Sequence, residues 1–219
     1  MEALGTPLLK LANADAVVFD FDGVLADSEE FQLRIWAEIL SEDGLSTKRL
    51  NIPAIAGIPD RQAIENSVPG LTDEVYERLL NLKMQRCRAR LHEVQPVPGA
   101  EALLTSLQGY KQLHICSSSH EANIREFLNR CFPKFRFDEI VGVESYTRTK
   151  PAPDSYLTVL KRRKLRSCNA IAIEDSEAGA MSAYAAGLQV IWLDRYDRYT
   201  DQTCMVGSLS ALVHWREAD

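Results

Sequence analysis

Apolar residues along the chain fall into short continuous runs that alternate with stretches where they recur every three or four positions. Ala16–Phe19 (AVVF), Gln112–Cys116, Glu139–Val143, Ala170–Ile173 and Gln189–Leu193 are runs of strand length. Between them lie helical patterns: Ser28 to about Leu40, with apolar side chains at 31, 35, 36, 39 and 40, then Asp73–Leu91, Ala100–Leu107, Glu121–Arg130, Pro153–Lys164 and Ser176–Ala186. Strands that alternate with helices pair in parallel through right-handed crossovers. The pattern therefore predicts an α/β fold with a doubly wound, Rossmann-like, mostly parallel sheet and helices on both faces. The stretch from Ser28 to about Gln95 breaks the alternation. Its helical patterns are interrupted by Gly44, Pro53, Gly57, Pro59 and Pro69, and it holds no convincing strand. It reads as an inserted all-helical domain, which assigns residues 1–27 and 96–219 to the core and 28–95 to the insert.

Composition changes this picture little. A chain of 219 residues with 46% apolar and 26% charged side chains is long and apolar enough for one large core with an insertion, and too apolar for disorder. The net charge is −6, and the one basic run, Lys161, Arg162, Arg163 and Lys164, suits the C-terminal turn of a helix, so nucleic acid is not expected as a partner. The five cysteines have no C-x-x-C spacing and the four histidines no helical pairing, which suggests neither a disulfide framework nor a zinc site. A reducing cytosol fits this cysteine usage. No apolar run approaches 18 residues and the N-terminal stretch lacks a leader's apolar core, so neither membrane insertion nor export is expected.

Ligands of parallel α/β sheets bind at the carboxyl ends of the strands, so the candidate chemistry lies in the residues just after each strand. The first strand leads into Asp20-Phe21-Asp22-Gly23, two carboxylates two residues apart with a glycine for the exit turn, and then into Asp27 and Glu30 spaced as a capping box. Ser117-Ser118-Ser119 comes after the second, with Glu121 placed to complete a cap and leave helix N–H groups for an anion. Lys150, stiffened by Pro151 and Pro153, comes after the third, and Glu174-Asp175 ends the fourth. Singly, each of these also reads as cap or turn chemistry. Together, carboxylates converging on one sheet edge repel unless a divalent cation is present, and oxygen-only ligation indicates Mg²⁺; a lysine and a hydroxyl-rich helix start beside it make a phosphate site.

These four segments, DFDGVLADS (20–28), ICSSS (115–119), KPAPD (150–154) and EDSEAG (174–179), resemble in order the signatures of the haloacid dehalogenase superfamily, in the branch with a helical cap after the first strand. Within it the chain is most similar to the sugar-phosphate phosphatases and the β-phosphoglucomutases. The resemblance implies that Asp20 attacks phosphorus to form an aspartyl-phosphate and that Asp22 serves as general acid and then base. It implies Mg²⁺ held by Asp20, the backbone carbonyl of Asp22 and Asp175, with Glu174 close by. Gly23, Ser117, the amide of Ser118 and Lys150 would surround the phosphate. Asp22 speaks against dehalogenation, because the metal-free dehalogenases lack it. The mutases carry a cap histidine and a cap arginine where this chain has Gln32 and Asp60, which favours simple hydrolysis. Arg61 is one step away, in a loop with Gly57 and Pro59 expected to point inward, and is a candidate substrate ligand. Lys83 aligns with a cap lysine of the relatives and otherwise reads as part of a solvated helix face. The expected activity is Mg²⁺-dependent hydrolysis of a small phosphorylated metabolite of the sugar-phosphate class, by a monomer. A phosphosugar mutase, a non-hydrolytic phosphoacceptor and a silent binding protein are the alternatives.

Overall fold

The computed structural model describes residues 2–51, 60–197 and 204–218. In chain order the helices are Glu2–Asn13 (α1), Ser28–Glu42 (α2), Asp60–Ser67 (α3), Asp73–Ala89 (α4), Ala100–Leu107 (α5), Glu121–Cys131 (α6), Asp154–Arg163 (α7) and Glu177–Ala185 (α8). The strands are Ala16–Phe19 (β1), Ala26–Asp27 (β2), Gln95–Pro96 (β3), Gln112–Cys116 (β4), Glu139–Val141 (β5), Ala170–Glu174 (β6), Gln189–Leu193 (β7) and Met205–Val206 (β8). Six of them form one parallel sheet in the order β5-β4-β1-β6-β7-β8, and β2 pairs with β3.

β1 lies at the centre, its four residues fully buried between β4 and β6, as a continuous apolar run requires. Alternation sends Ala16, Val18, Cys116, Ala170, Ala172 and Val190 into a cluster with Tyr156, Val159 and Leu160 of α7 and Ala180 and Ala183 of α8. Val17, Phe19, Leu113, Ile115, Ile171 and Ile173 are buried toward the other side. The small alanines of α8 allow close approach to the sheet, and that helix begins with the Ser176 hydroxyl accepting from the Gly179 amide at 3.1 Å. The basic run ends α7, where Arg162 pairs with Glu139 at 3.0 Å and Lys164 closes the helix at φ 55°.

Several local expectations are corrected. The N-terminal stretch forms α1 despite Pro7, and its end is held by the Lys111 ammonium, which donates to the Ala12 carbonyl at 2.7 Å. Asp27 precedes α2 without a side-chain cap, so the box with Glu30 does not form. The third strand stops at Val141 and passes into a single turn of 3₁₀ helix, Val143–Ser145.

Contacts divide the chain into two compact units, Met1–Ala26 with Pro96–Asp219, and Asp27–Gln95. In the second, α2 and α4 bury Ile35, Ile39 and Leu79 and stack Trp36 on Tyr76 at 6.5 Å. Outside this seam runs a ladder of ion pairs, including Arg78 with Asp43 at 2.7 Å, Arg86 with Glu42, and Arg90 with Glu38 at 2.5 Å. Gly57 and Pro59 lie outside the described residues. Among the described residues no helix is long and apolar enough to cross a membrane.

One core residue should make the fold acid-sensitive. His114, in the middle of β4, is fully buried, and among the described residues neither ring nitrogen has a hydrogen-bond partner. Burial pushes its pKa down from 6.5 to about 4, so the unfolded chain binds a proton that the folded one refuses. Stability is therefore present above the unfolded value and is lost as pH falls from about 6.5 toward 4. Between pH 7 and pH 5 this group alone removes about 2 kcal/mol. His114→Leu should flatten that part of the profile, measured by urea denaturation at the two pH values; an unchanged slope would place the acid sensitivity elsewhere.

Candidate active site

From β1 the chain steps outward to β4 and β5 on one side and later fills the other side with β6, β7 and β8. The central reversal leaves a crevice at the carboxyl ends of β4, β1 and β6, where ligands of open α/β sheets bind. Three of the four segments singled out in the sequence begin at those ends, and Lys150 reaches the same place from the loop between β5 and α7.

The first segment is set by the residue between its carboxylates. Phe21 is buried edge-on against Phe127 of α6, centroids 5.2 Å apart, and the Asp20 amide donates to the Ile173 carbonyl at 2.9 Å. The chain then turns through Gly23 at φ +76°, a left-handed conformation that favours glycine. A Cβ at Gly23 would overlap the Asp175 carboxylate, so the glycine also lets the first and fourth segments close together.

Lys150 ties three strand ends into one cluster. Its ammonium, 8% exposed, donates to Asp20 Oδ1 at 2.7 Å, to Glu174 Oε1 at 2.6 Å and to the Cys116 carbonyl at 3.2 Å. It comes after Thr149 on a loop whose Lys150–Pro151 peptide is cis. Glu174, wholly buried, also accepts the Tyr156 hydroxyl on Oε1 at 2.6 Å, while its other oxygen lies against Gly179, where a Cβ would overlap it. Oε1 of Glu174 thereby holds Lys150 and Tyr156, while Oε2 lies 3.5 Å from the Ser176 hydroxyl. The sequence motif, which places Glu174 beside the metal, carries no sign of its buried partner Tyr156.

Asp22 is held separately. Its Oδ2 accepts the Ser119 hydroxyl at 2.7 Å and lies 3.5 Å from Ser117 Oγ. Ser117 is buried, Ser118 exposed. The expected cap of α6 by Ser118 and Glu121 is not made. His120 stands at the helix start without a cap bond, and the Glu121 amide instead donates to the Glu144 carboxylate at 3.1 Å. Glu144 comes from the turn after β5, beyond the reach of a local pattern.

Burial and the Glu174 carboxylate push the Asp20 pKa up to about 7, against the opposing pull of Lys150. Burial draws the Lys150 ammonium down, yet Asp20 and Glu174 outweigh it and hold it well above its ordinary value. Oxygens of Asp20, Glu174 and Asp175 lie within 4.8 Å of one another, all three residues buried. One ammonium among these carboxylates leaves an excess of negative charge. These three buried carboxylates offer hard oxygen donors of the kind that suit a small divalent cation.

Both insert candidates are engaged within their own unit. Arg61 lies in the first turn of α3 rather than in the expected loop; it bonds Glu65 at 2.5 Å and Asp73 and sits over the Tyr76 ring at 4.6 Å. Lys83 is not on a solvated face: it is 8% exposed and donates to Gln32 at 2.8 Å.

Comparison with known proteins agrees with the geometry. Residues 17–193 match the family described as haloacid dehalogenase-like hydrolase. The chain is 25% identical over 177 residues to fructose-1-phosphate phosphatase YqaB of Escherichia coli, covering 80% of this chain and 94% of that protein. It is 26% identical over 182 residues to the β-phosphoglucomutase of Bacillus subtilis, covering 79% and 80%. Its fold superposes with a TM-score of 0.71 on CbbY from Rhodobacter sphaeroides in complex with phosphate, at 21% identity over 90% of this chain and 95% of that one. With the signature segments gathered at one sheet edge and the match spanning most of its length, the chain belongs to the haloacid dehalogenase-like hydrolase family.

Proposed function

We propose that this enzyme, a phosphoric monoester hydrolase, removes phosphate from a small phosphorylated metabolite of the sugar-phosphate class through an aspartyl-phosphate on Asp20. The observation that carries the reading is the unequal treatment of the two neighbouring carboxylates. Asp20 is fixed by a buried ammonium at the crevice, whereas Asp22 is held by serine hydroxyls. A nucleophile and a proton-transfer group need that separation.

In this mechanism Asp20 attacks phosphorus while Lys150, the Ser117 hydroxyl and the Ser118 amide hold the remaining oxygens, with Gly23 leaving room for their approach. Asp22 gives its proton to the leaving oxygen as the P–O bond breaks. It then takes a proton from the water that cleaves the aspartyl-phosphate, which returns Asp20 as a carboxylate and releases phosphate. Asp20, Asp175 and the Asp22 carbonyl would hold Mg²⁺, which when bound supplies positive charge to the transferring oxygens. We propose residues 28–95 as the helical cap of the family, with Lys83 as a candidate substrate contact and Arg61 held instead by Glu65 and Asp73.

Hydrolysis is favoured over the mutase reaction by Arg61. A mutase must retain a sugar bisphosphate between its two half-reactions, and the cation nearest the expected position is already neutralised by Glu65 and Asp73. Free phosphate is therefore the expected product from a panel of phosphorylated metabolites. Formation of glucose 6-phosphate from glucose 1-phosphate would establish the mutase instead. EDTA should abolish turnover and Mg²⁺ restore it, while Ca²⁺ should inhibit, because its larger, looser oxygen shell disturbs in-line geometry. Full activity in chelator would contradict the metal assignment.

A further inference from the structure

Ser119 belongs to the hydroxyl-rich run read as a phosphate site, but the family resemblance gives it no role there, and a serine just before a helix is ordinarily its cap. Here that explanation fails, because the N-cap of α6 is His120, which makes no side-chain cap bond, and the Glu144 carboxylate takes the Glu121 amide. The Ser119 backbone is pinned on both sides: its amide donates to Ser117 Oγ at 2.9 Å and its carbonyl accepts from Val143 at 3.0 Å. Ser117 is itself clamped, its amide bonded to the Val141 carbonyl at 3.0 Å and its carbonyl accepting the Tyr146 hydroxyl at 3.0 Å. On so fixed a backbone χ1 alone places the Ser119 oxygen, and it lies 2.7 Å from Asp22 Oδ2 across 97 residues of sequence.

We infer that Ser119 is a positioning residue for the acid and base chemistry of Asp22, an inference that rests on the phosphatase reading above. A protonated carboxyl donates through one oxygen and accepts through the other. A Ser119 hydroxyl that donates to Oδ2 leaves Oδ1 as the oxygen that carries and releases the proton, and it also fixes the plane of the carboxyl. In the first step that proton passes to the leaving oxygen as its bond to phosphorus breaks and the Asp20–phosphorus bond forms. In the second, the same oxygen takes a proton from water as the water oxygen bonds to phosphorus and the Asp20–phosphorus bond breaks.

Leaving-group dependence separates this role from a structural one. A sugar alkoxide needs Asp22's proton and p-nitrophenolate does not, whereas water attack needs Asp22 with either substrate. Ser119→Ala should therefore lower kcat/KM about tenfold or more on the sugar phosphate that serves best in the metabolite panel. On p-nitrophenyl phosphate it should leave kcat/KM within about threefold of wild type while kcat and KM fall together, with a pre-steady-state burst of p-nitrophenolate. Ser119→Thr, which keeps the hydroxyl, should restore both. Equal loss of kcat/KM on the two substrates would overturn the inference and assign Ser119 to phosphate binding or to the fold, and so would failure of the threonine variant to recover. Wild-type protein that hydrolyses neither substrate with Mg²⁺ would overturn the phosphatase reading itself, an outcome distinct from either.

Discussion

Asp20→Asn should remove turnover, by a factor on the order of 10⁴ or more, and leave the protein folded. The amide oxygen of asparagine still accepts the Lys150 hydrogen bond, so the contact at the end of β1 survives; what disappears is the proposed nucleophile and one anionic oxygen of the carboxylate cluster. The accompanying stability change has a definite sign. In the metal-free protein Asp20 has a folded pKa of about 7 against 3.8 for the ordinary group, so ionising it costs the folded state stability as pH rises through that window. The asparagine variant has no such cost. In chelator at pH 8 it should melt at or above the wild-type temperature, as monitored by circular dichroism, while phosphate release stays at background. Substantial hydrolysis by the folded variant would exclude Asp20 as nucleophile.

Lys150→Met should produce the second large effect, on stability and activity together. The ammonium is the one cation bonded to Asp20 and Glu174 among the described residues, and methionine removes it with little change in volume. Two buried carboxylates then face each other without compensation, a loss of about 3–5 kcal/mol. Lys150 is also what opposes the upward shift of Asp20, so without it Asp20 takes up its proton at still higher pH. The deficit relative to wild type should accordingly be larger at pH 8 than at pH 5 in chemical denaturation. Excess Mg²⁺ should recover part of the stability, by supplying charge to the same oxygens, and little of the activity. A deficit independent of pH would mean that the lysine acts through packing alone.

The central sheet was legible because its strands are short, apolar and bounded by polar loops, and because each chemical segment is local: Asp20 to Gly23, the three serines, Lys150 and Glu174 with Asp175 all sit directly after a strand or in its loop. What the sequence withheld depends on contacts between distant residues. α1 contains Gly5 and Pro7, both poor helix residues, yet it forms, with Leu11 fully buried and its end held by Lys111. β8 is two residues long, too short for any periodicity. Ser118 and Glu121 have capping spacing, but Glu144 reaches the helix start from another turn. Tyr156 sits in an ordinary helical apolar position, and only the fold shows its hydroxyl on Glu174. Lys83, polar on a helix that alternates in the usual way, is buried because Gln32 on α2 offers it an acceptor.

β1 also has a temporal meaning. Its partners in the sheet begin at Gln112 and Ala170, so during synthesis the most buried strand of the molecule waits through the whole of Asp27–Gln95 before its first neighbour exists, and longer still for its second. Closing such separations carries an entropic cost that local helix pairing avoids. The helical unit can assemble α2 on α4 while Ala16–Phe19 is still an unpaired apolar strand. The four residues immediately before Asp20 therefore stay open to misassociation on both edges until β4 emerges, and on one edge until β6 does.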